Sequence, residues 1–493
     1  MRLPGQQDWK IAWLLFAVAF LAYATFLQEP RNANTASRMF LGYALTTNGT
    51  LSIDSYAQKT EDRAEYLGHF FSDKAPGQTF LALPAIMLAR SPSTRWEAAH
   101  PREVRQPDEK EWPPGYMLTT YAATLSTSAI LTALSVAALY LFAQSLFASS
   151  APALLVALTY AFATPAFGWA TAFIGHAPAM ALSVIGLALL HFAAGTASVT
   201  KQTYVLSGAA AACLTAGVVT EFTAAPAACL IALYALTHSP LPLRTRLIVA
   251  AASVVPVIIV ATPLLLYNAI AFGSPMRLGY SALQDFPGMN EGFFGLTAPS
   301  LSVLREITVG ARRGILWICP LLIFVPVGLW RMIREPALRS TGILVLLIVS
   351  YYFLLNASYH YWDGGGSTGP RHVTAMLPFA CLAVGTAWLR GERIVRSLIL
   401  SIILASALMS FLCTVAGMYA TPNEPRLISG VLIPTVLHGS TSATPVWLFG
   451  LMRSRHFVAL WAIVMTATLI LFYKLRRVDD SDMIAKPALQ IRR

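Results

Sequence analysis

Long apolar runs recur along this chain from residue 11 to residue 473, and they leave few folds open to it. A bilayer crossing needs about 20 predominantly apolar residues. The runs lie at 11–27, 76–90, 117–146, 151–165, 171–194, 204–220, 222–237, 247–271, 314–332, 341–356, 373–389, 396–419 and 457–473. In hydrocarbon each segment must bond its own backbone polar groups, so the runs are read as helices. Only 12% of the residues are charged and 56% are hydrophobic, whereas soluble domains carry about 25% charged residues. A soluble enzyme, a disordered chain and a disulfide scaffold are excluded. The expected fold is all-α, a polytopic transmembrane helical bundle of about 12–13 segments. It fills residues 1–477 and leaves a short polar cytoplasmic tail at 478–493.

The net charge of +12 would suggest nucleic acid in a soluble protein. Here the Arg and Lys collect in short connections, which marks those connections as cytoplasmic. They include Lys10, Lys201, Arg244 and Arg246, Arg331 and Arg334, Arg390 and Arg393, and Lys474. Outer loops then fall at 28–75, 166–176, 272–313, 357–372 and 420–455. Thirteen segments would place the two basic ends on opposite sides, so one segment is expected not to span. Segment 76–90 is the shortest and contains Pro84, so it is expected to dip and return. The pair 204–220 and 222–237, separated by Glu221 alone, is the other candidate. The first run resembles a secretory signal but is long enough to span, and an uncleaved first helix is expected. All five cysteines lie in apolar segments without metal spacing and read as packing residues.

Acids are scarce, so their placement is informative. Of 23 Asp and Glu, 11 fall between residues 28 and 116. Transporters usually carry ionisable groups near the membrane midplane. Here polar chemistry gathers at one face, which favours an interfacial enzyme with a lipid-borne substrate. The first outer loop is the densest stretch. Residues 35–47 have helical spacing and predict an amphipathic interfacial helix. Asp54, Asp62 and Asp73 follow it, and a carboxylate there can take a proton from an acceptor hydroxyl. Arg38 and Lys74 can hold a phosphate, one as a fork and one as a point charge. An ordinary polar loop braced by salt bridges uses the same residue types, and both readings stand.

The run SRMFLGYALTTNGTLSIDSY…GHFFSDKAPGQTFLALP, which includes His69, resembles bacterial integral-membrane glycosyltransferases of the GT-C superfamily. These are similar in plan to the protein O-mannosyltransferases and the lipid A aminoarabinose transferase. Further stretches resemble the superfamily in order along the chain: Thr164-Pro165 with Trp169 and Gly175-His176; Leu266-Tyr267-Asn268 with Phe272-Gly273-Ser274-Pro275; Gly292-Phe293-Phe294-Gly295 with Arg313-Gly314; and Trp362-Asp363-Gly364-Gly365 with Gly369-Pro370-Arg371. The resemblance covers about residues 11 to 420. It implies a sugar donor on a polyprenyl phosphate and inverting transfer to an acceptor at the outer face of the membrane. One departure is clear. The relatives carry an acidic pair shortly after the first span, ahead of an Arg-aromatic motif, and here Asn34 and Thr35 stand there ahead of Arg38. The base role would pass to Asp54, Asp62 or Asp73. Asp54 is favoured, because it follows the predicted helix within Ile-Asp-Ser-Tyr.

Other outer-face residues complete the expected site. Arg313 and Arg371 sit where loops meet spans and suit phosphate, unless they merely snorkel. The Gly-rich loop before Arg371 can form an anion nest of backbone amides. His176, Tyr267 and Asn268 lie in the resembling stretches. His360, Trp362 and Asp363 belong to an aromatic cluster that suits either a sugar ring or an interface belt. Glu221, within apolar sequence, must be paired or neutral. The outer loops carry no metal motif, Asp479-Asp480-Ser481-Asp482 falls in the expected cytoplasmic tail, and no nucleotide-binding loop is present, so no metal and no cofactor is expected.

The leading expectation is a multi-pass glycosyltransferase of the bacterial inner membrane, with its site facing the periplasm or exterior. It would move a hexosyl or pentosyl group from a polyprenyl-phosphate donor to an envelope glycan, lipid or protein acceptor. The alternatives are a lipid-linked sugar transporter or flippase, and a non-catalytic assembly subunit.

Overall fold

The computed structural model describes residues 4–99, 112–195, 198–283, 285–420 and 424–438. The expected last run at 457–473, most of the loop at 420–455 and the tail at 478–493 lie outside the described residues.

The structure is a bundle of helices with one small hairpin. Helix α1 (Gln6–Ala24) begins where Asp8 accepts the Gly5 amide at 2.7 Å. After a short loop comes α2 (Ala33–Tyr43), started by Asn32, whose side chain accepts the Asn34 amide. Strands β1 (Arg63–Tyr66) and β2 (His69–Ser72) pair antiparallel, Arg63 opposite Ser72 and Tyr66 opposite His69. Helix α3 (Gly77–Ala99) and the long α4 (Tyr116–Phe147) follow. A π-helical turn at Leu125–Ala129 interrupts α4, and Gln78 donates to Ser128 there at 3.0 Å. Next come α5 (Ser150–Phe162), the short α6 (Ala166–Ala170), α7 (His176–Ala194), α8 (Lys201–Thr220) and α9 (Ala225–His238). Then α10 (Leu243–Phe272) carries the chain back to the loop-rich face.

Seven helices among the described residues are long and apolar enough to cross a membrane. Their coverage by protein differs widely. The most hydropathic window of α7 is 78% buried and that of α10 only 6%. An apolar helix that its neighbours leave bare is suited to face lipid, and among the described residues α10 is such a helix.

Two runs take forms that hydropathy does not show. Segment 76–90 is the first part of one continuous helix, α3, which contains both Pro84 and Pro92 and is not among the seven. Segment 314–332 is not one helix. It breaks into α11 (Ile315–Ile318), a 3-10 turn (Pro320–Phe324) and α12 (Val325–Arg334). Pro320 has no amide to continue the helix, and the freed Leu321 amide is satisfied by the Ser406 hydroxyl at 2.9 Å. The suspect pair around Glu221 is two separate helices, α8 and α9. Glu221 is extended, with φ −151°, and ends α8.

The core has two parts. The larger fills the spanning bundle from Ile11 to Leu432. The smaller joins α2, the hairpin, α3 and the end of α10 through Phe40, Tyr116, Tyr267 and Phe272. The helix expected over 35–47 is present, but protein covers all its sides: every residue from Asn34 to Tyr43 is buried. Phe40 stacks on Tyr56 and Trp112, which closes the face that would otherwise meet water.

Candidate active site

The hairpin brings residues 62 and 73 together, because each lies one step beyond a paired strand end. Lys74 Nζ sits between them, 2.7 Å from Asp73 Oδ2 and 3.1 Å from Asp62 Oδ2. Asp73 is 2% exposed. Ser37 from α2 donates to its Oδ1 at 3.3 Å and shares a 2.8 Å hydrogen bond with Ser72. The Tyr267 hydroxyl donates to the Ser72 carbonyl at 3.0 Å and fixes this corner to α10. Burial pushes the Asp73 carboxyl up to about 6, against the lowering effect of Lys74. Burial also pulls on the Lys74 ammonium, but Asp62 and Asp73 outweigh it and hold its pKa above the ordinary value.

Arg38 enters from α2. Its Nη1 donates to the Ala75 carbonyl at 2.7 Å and its Nε to Asn34 Oδ1 at 3.2 Å. Its Nη2 lies 3.9 Å from Glu221 Oε2. His176 Nδ1 is 3.4 Å from the same oxygen. Glu221 is therefore the paired acid that apolar sequence demanded. Burial raises its carboxyl above the ordinary range, and Arg38, Lys74 and Arg371 oppose that rise.

Glycines permit this convergence. A Cβ on Gly175 would lie 2.7 Å from the Thr220 carbonyl, 2.8 Å from Arg38 Nη2 and 3.0 Å from Glu221 Oε2. A Cβ on Gly77 would meet the Val219 backbone at 2.6 Å. The starts of α3 and α7 thus close on the turn that carries Glu221.

His372 and Tyr359 extend the cluster. The His372 ring packs edge-on against His176 at 5.6 Å and Tyr359 at 5.1 Å. Arg371 lies beside them, and its buried Nε has no hydrogen-bond partner among the described residues. Gly364, at φ +71°, leaves the space that the Arg371 side chain fills. Tyr280 packs on Phe222, next to Glu221.

The structure brings together Arg38, Asp62, Asp73, Lys74, His176, Tyr267 and Arg371 of the expected residues. It places the others differently. Asp54 is exposed; its Oδ2 takes His69 Nδ1 at 2.7 Å and its Oδ1 accepts the Phe70 amide at 2.6 Å. Slight burial raises that carboxyl, but the Phe70 amide, Ser52 and His69 outweigh it and hold its pKa below the ordinary value. Asp54 and His69 brace the hairpin. Asn268 holds the loop after α10 by donating to the Pro275 carbonyl at 3.0 Å. His360 pairs with Glu291 at 3.0 Å in an exposed setting. Arg312 pairs with Asp363 and lies over Trp362 at 5.5 Å. Arg313 is fully buried and donates to the carbonyls of Arg312, Asp363 and Gly365. Burial lowers its pKa to about 10. In the loop before Arg371 the amides of Gly364, Gly365 and Thr368 have internal acceptors, and the carbonyls of Asp363 and Gly365 accept from Arg313.

Glu221, a lone acid between two apolar runs, was expected to be paired and to support the site, and it faces Arg38. Tyr280, Tyr359 and His372 were not among the expected site residues, because their place depends on tertiary packing.

An apolar cavity of about 460 Å³ opens between α7, α8, α9 and α10. Its wall follows α8 from Thr203 to Val218, three residues short of Glu221, and includes Ala211, Ala232 and Val257.

The architecture is the GT-C-like fold of integral-membrane glycosyltransferases. The chain superposes on ArnT from Cupriavidus metallidurans bound to undecaprenyl phosphate, with TM-score 0.52, 16% identity, 84% of this chain and 67% of that one. It superposes on the apo state of the same protein with TM-score 0.51 and 14% identity, over 83% of this chain and 64% of that one. No family model and no curated protein sequence matches the chain.

Proposed function

We propose that the protein is a glycosyltransferase that takes its sugar from a polyprenyl-phosphate carrier at the outer face of the bacterial inner membrane. The observation that carries this reading is the single cluster in which Arg38, Lys74 and Arg371 meet Asp62, Asp73 and Glu221 at the loop-rich end of the spans. The three cations supply what a departing lipid phosphate needs as its charge develops. Arg371, whose buried Nε has no partner among the described residues, is the cation most open to a phosphate oxygen. The apolar cavity along α8, whose wall ends three residues short of Glu221, is suited to a long apolar chain. The ArnT structure with undecaprenyl phosphate supports a lipid carrier of that kind.

Asp73 is the proposed base. An acceptor hydroxyl attacks the anomeric carbon, its oxygen forms the new C–O bond, and the bond to phosphate breaks. The proton passes to Asp73 and the lipid phosphate leaves toward Lys74 and Arg371. A carboxyl raised to about 6 is a better proton acceptor near neutral pH than an ordinary one. Asp54, favoured from sequence, is committed to the hairpin. Glu221 and His176 position Arg38.

The test is turnover by the full-length protein in nanodiscs, supplied with native lipid extract and an envelope acceptor fraction. Mass spectrometry would follow polyprenyl-phosphate sugars and the acceptor. Loss of the lipid-linked sugar, a mass gain on the acceptor, and inactivity of Asp73→Asn with activity kept in Asp54→Asn are expected. In sealed vesicles, movement of the lipid-linked sugar across the bilayer without transfer would instead make the protein a flippase.

A further inference from the structure

The tip of the β1–β2 hairpin has an unusual residue. Leu67 is 83% exposed and sits at φ +52°, a left-handed conformation that Gly or Asn adopts with less strain. A bare leucine at a strained turn gains nothing from water, and such outliers point to a constraint outside local folding.

The hairpin's position supplies the constraint. Tyr66, the neighbour of Leu67, rests on the end of α10: a Cβ on Gly273 would meet its hydroxyl at 2.8 Å. Its ring packs against Phe272 at 6.3 Å and under the Arg277 guanidinium at 5.2 Å. Among the described residues α10 is the barest candidate span, and its exposed apolar side chains continue to Ile270, which is 71% exposed. Met276, beside Arg277, is 81% exposed. The exposed apolar side chains of α10 are thus followed by exposed Met276 in the loop after it, and Tyr66 ties exposed Leu67 to the same helix end. Tyrosine and arginine between them are the residue types that favour the headgroup boundary.

We propose that the hairpin is a lipid-contacting element, with Leu67 and Met276 inserted in the interfacial region of the leaflet on the site's side of the membrane. The partner is the phospholipid surface itself. The hairpin's other end carries Asp62 and Asp73–Lys74, so the element that touches lipid also sets the site's acids. This inference rests on α10 being a span and does not depend on the transferase reading.

The test places a fluorophore at Leu67→Cys, Met276→Cys or Ser55→Cys, each in a Cys213→Ser and Cys229→Ser background, in nanodiscs. Ser55 is exposed in the same loop and serves as the water-facing reference. Labels at 67 and 276 should lose most of their fluorescence to phospholipids spin-labelled near the headgroup and resist aqueous iodide. The label at 55 should show the reverse. Iodide quenching at 67 and 276 equal to that at 55 overturns the proposal. Protection at both positions from both quenchers overturns it too, since protein rather than lipid would then cover the tip. Met276→Cys reads the same surface if the hairpin variant fails to fold.

Discussion

Asp54 and Asp73 are aspartates of one loop, and their surroundings separate them. The exposed one accepts an amide and a histidine, and its pKa falls. The buried one faces Asp62 and Lys74, and its pKa rises to about 6. If Asp73 takes the acceptor's proton, it must be ionised, so turnover should rise with pH through about 6. Asp62→Asn removes a neighbouring negative charge and leaves Lys74 to Asp73 alone. Both changes favour the ionised form, so the rising limb should move to lower pH; an unmoved limb would assign it to another group. Arg313 invites a different expectation. Its substitution by alanine orphans three carbonyls at a cost of about 1–3 kcal/mol for each that water cannot reach. A lower unfolding temperature, with donor binding kept in the folded fraction, would distinguish this staple from a phosphate ligand. Sequence grouped Arg313 with Arg371 because both stand where loops meet spans, and only the carbonyls around the first tell them apart.

At the scale of elements, close approach decides the site. Alanine at Gly175 would press on the Thr220 carbonyl as well as on Arg38 and Glu221, and overpacking of this kind costs about 1–3 kcal/mol. The melting temperature should fall, and so should turnover in the fraction that stays folded, because the Arg38 guanidinium is displaced with the backbone. Full specific activity in the folded fraction would mean that the contact serves folding alone. The broken helix at Pro320 makes a parallel point. Cys319 and Pro320 are apolar, so hydropathy reads straight through them, although the missing amide breaks the helix. Likewise the hydrophobic face of α2 was legible, but the rings of Tyr56 and Trp112 that cover its far side come from outside the helix. Segment lengths and faces were readable; which element closes over which was not.

For the molecule as a whole, sequence conveyed the class of fold and the end at which polar chemistry gathers. Long apolar runs and scarce acids are properties of the entire chain and survive ignorance of packing. The groove along α8 is not of that kind, since it is made of small residues from several helices. If it holds a prenyl chain, Ala211→Trp or Ala232→Trp should block it. Transfer from a long-chain carrier should then fall while transfer from a short-chain analogue persists, and parallel loss of both would place the chain elsewhere.

Helix α10 has a last consequence. Its 30 residues reach about 45 Å at 1.5 Å each, while the hydrocarbon layer is about 30 Å thick. Tilt, a kink or a locally thicker bilayer accommodates that excess length. Its end carries the hairpin and, through Tyr267, the Ser72 corner beside Asp73. Any tilt imposed by bilayer thickness would pass to the spacing of the site's acids, so turnover should differ between nanodiscs of thin and thick lipids.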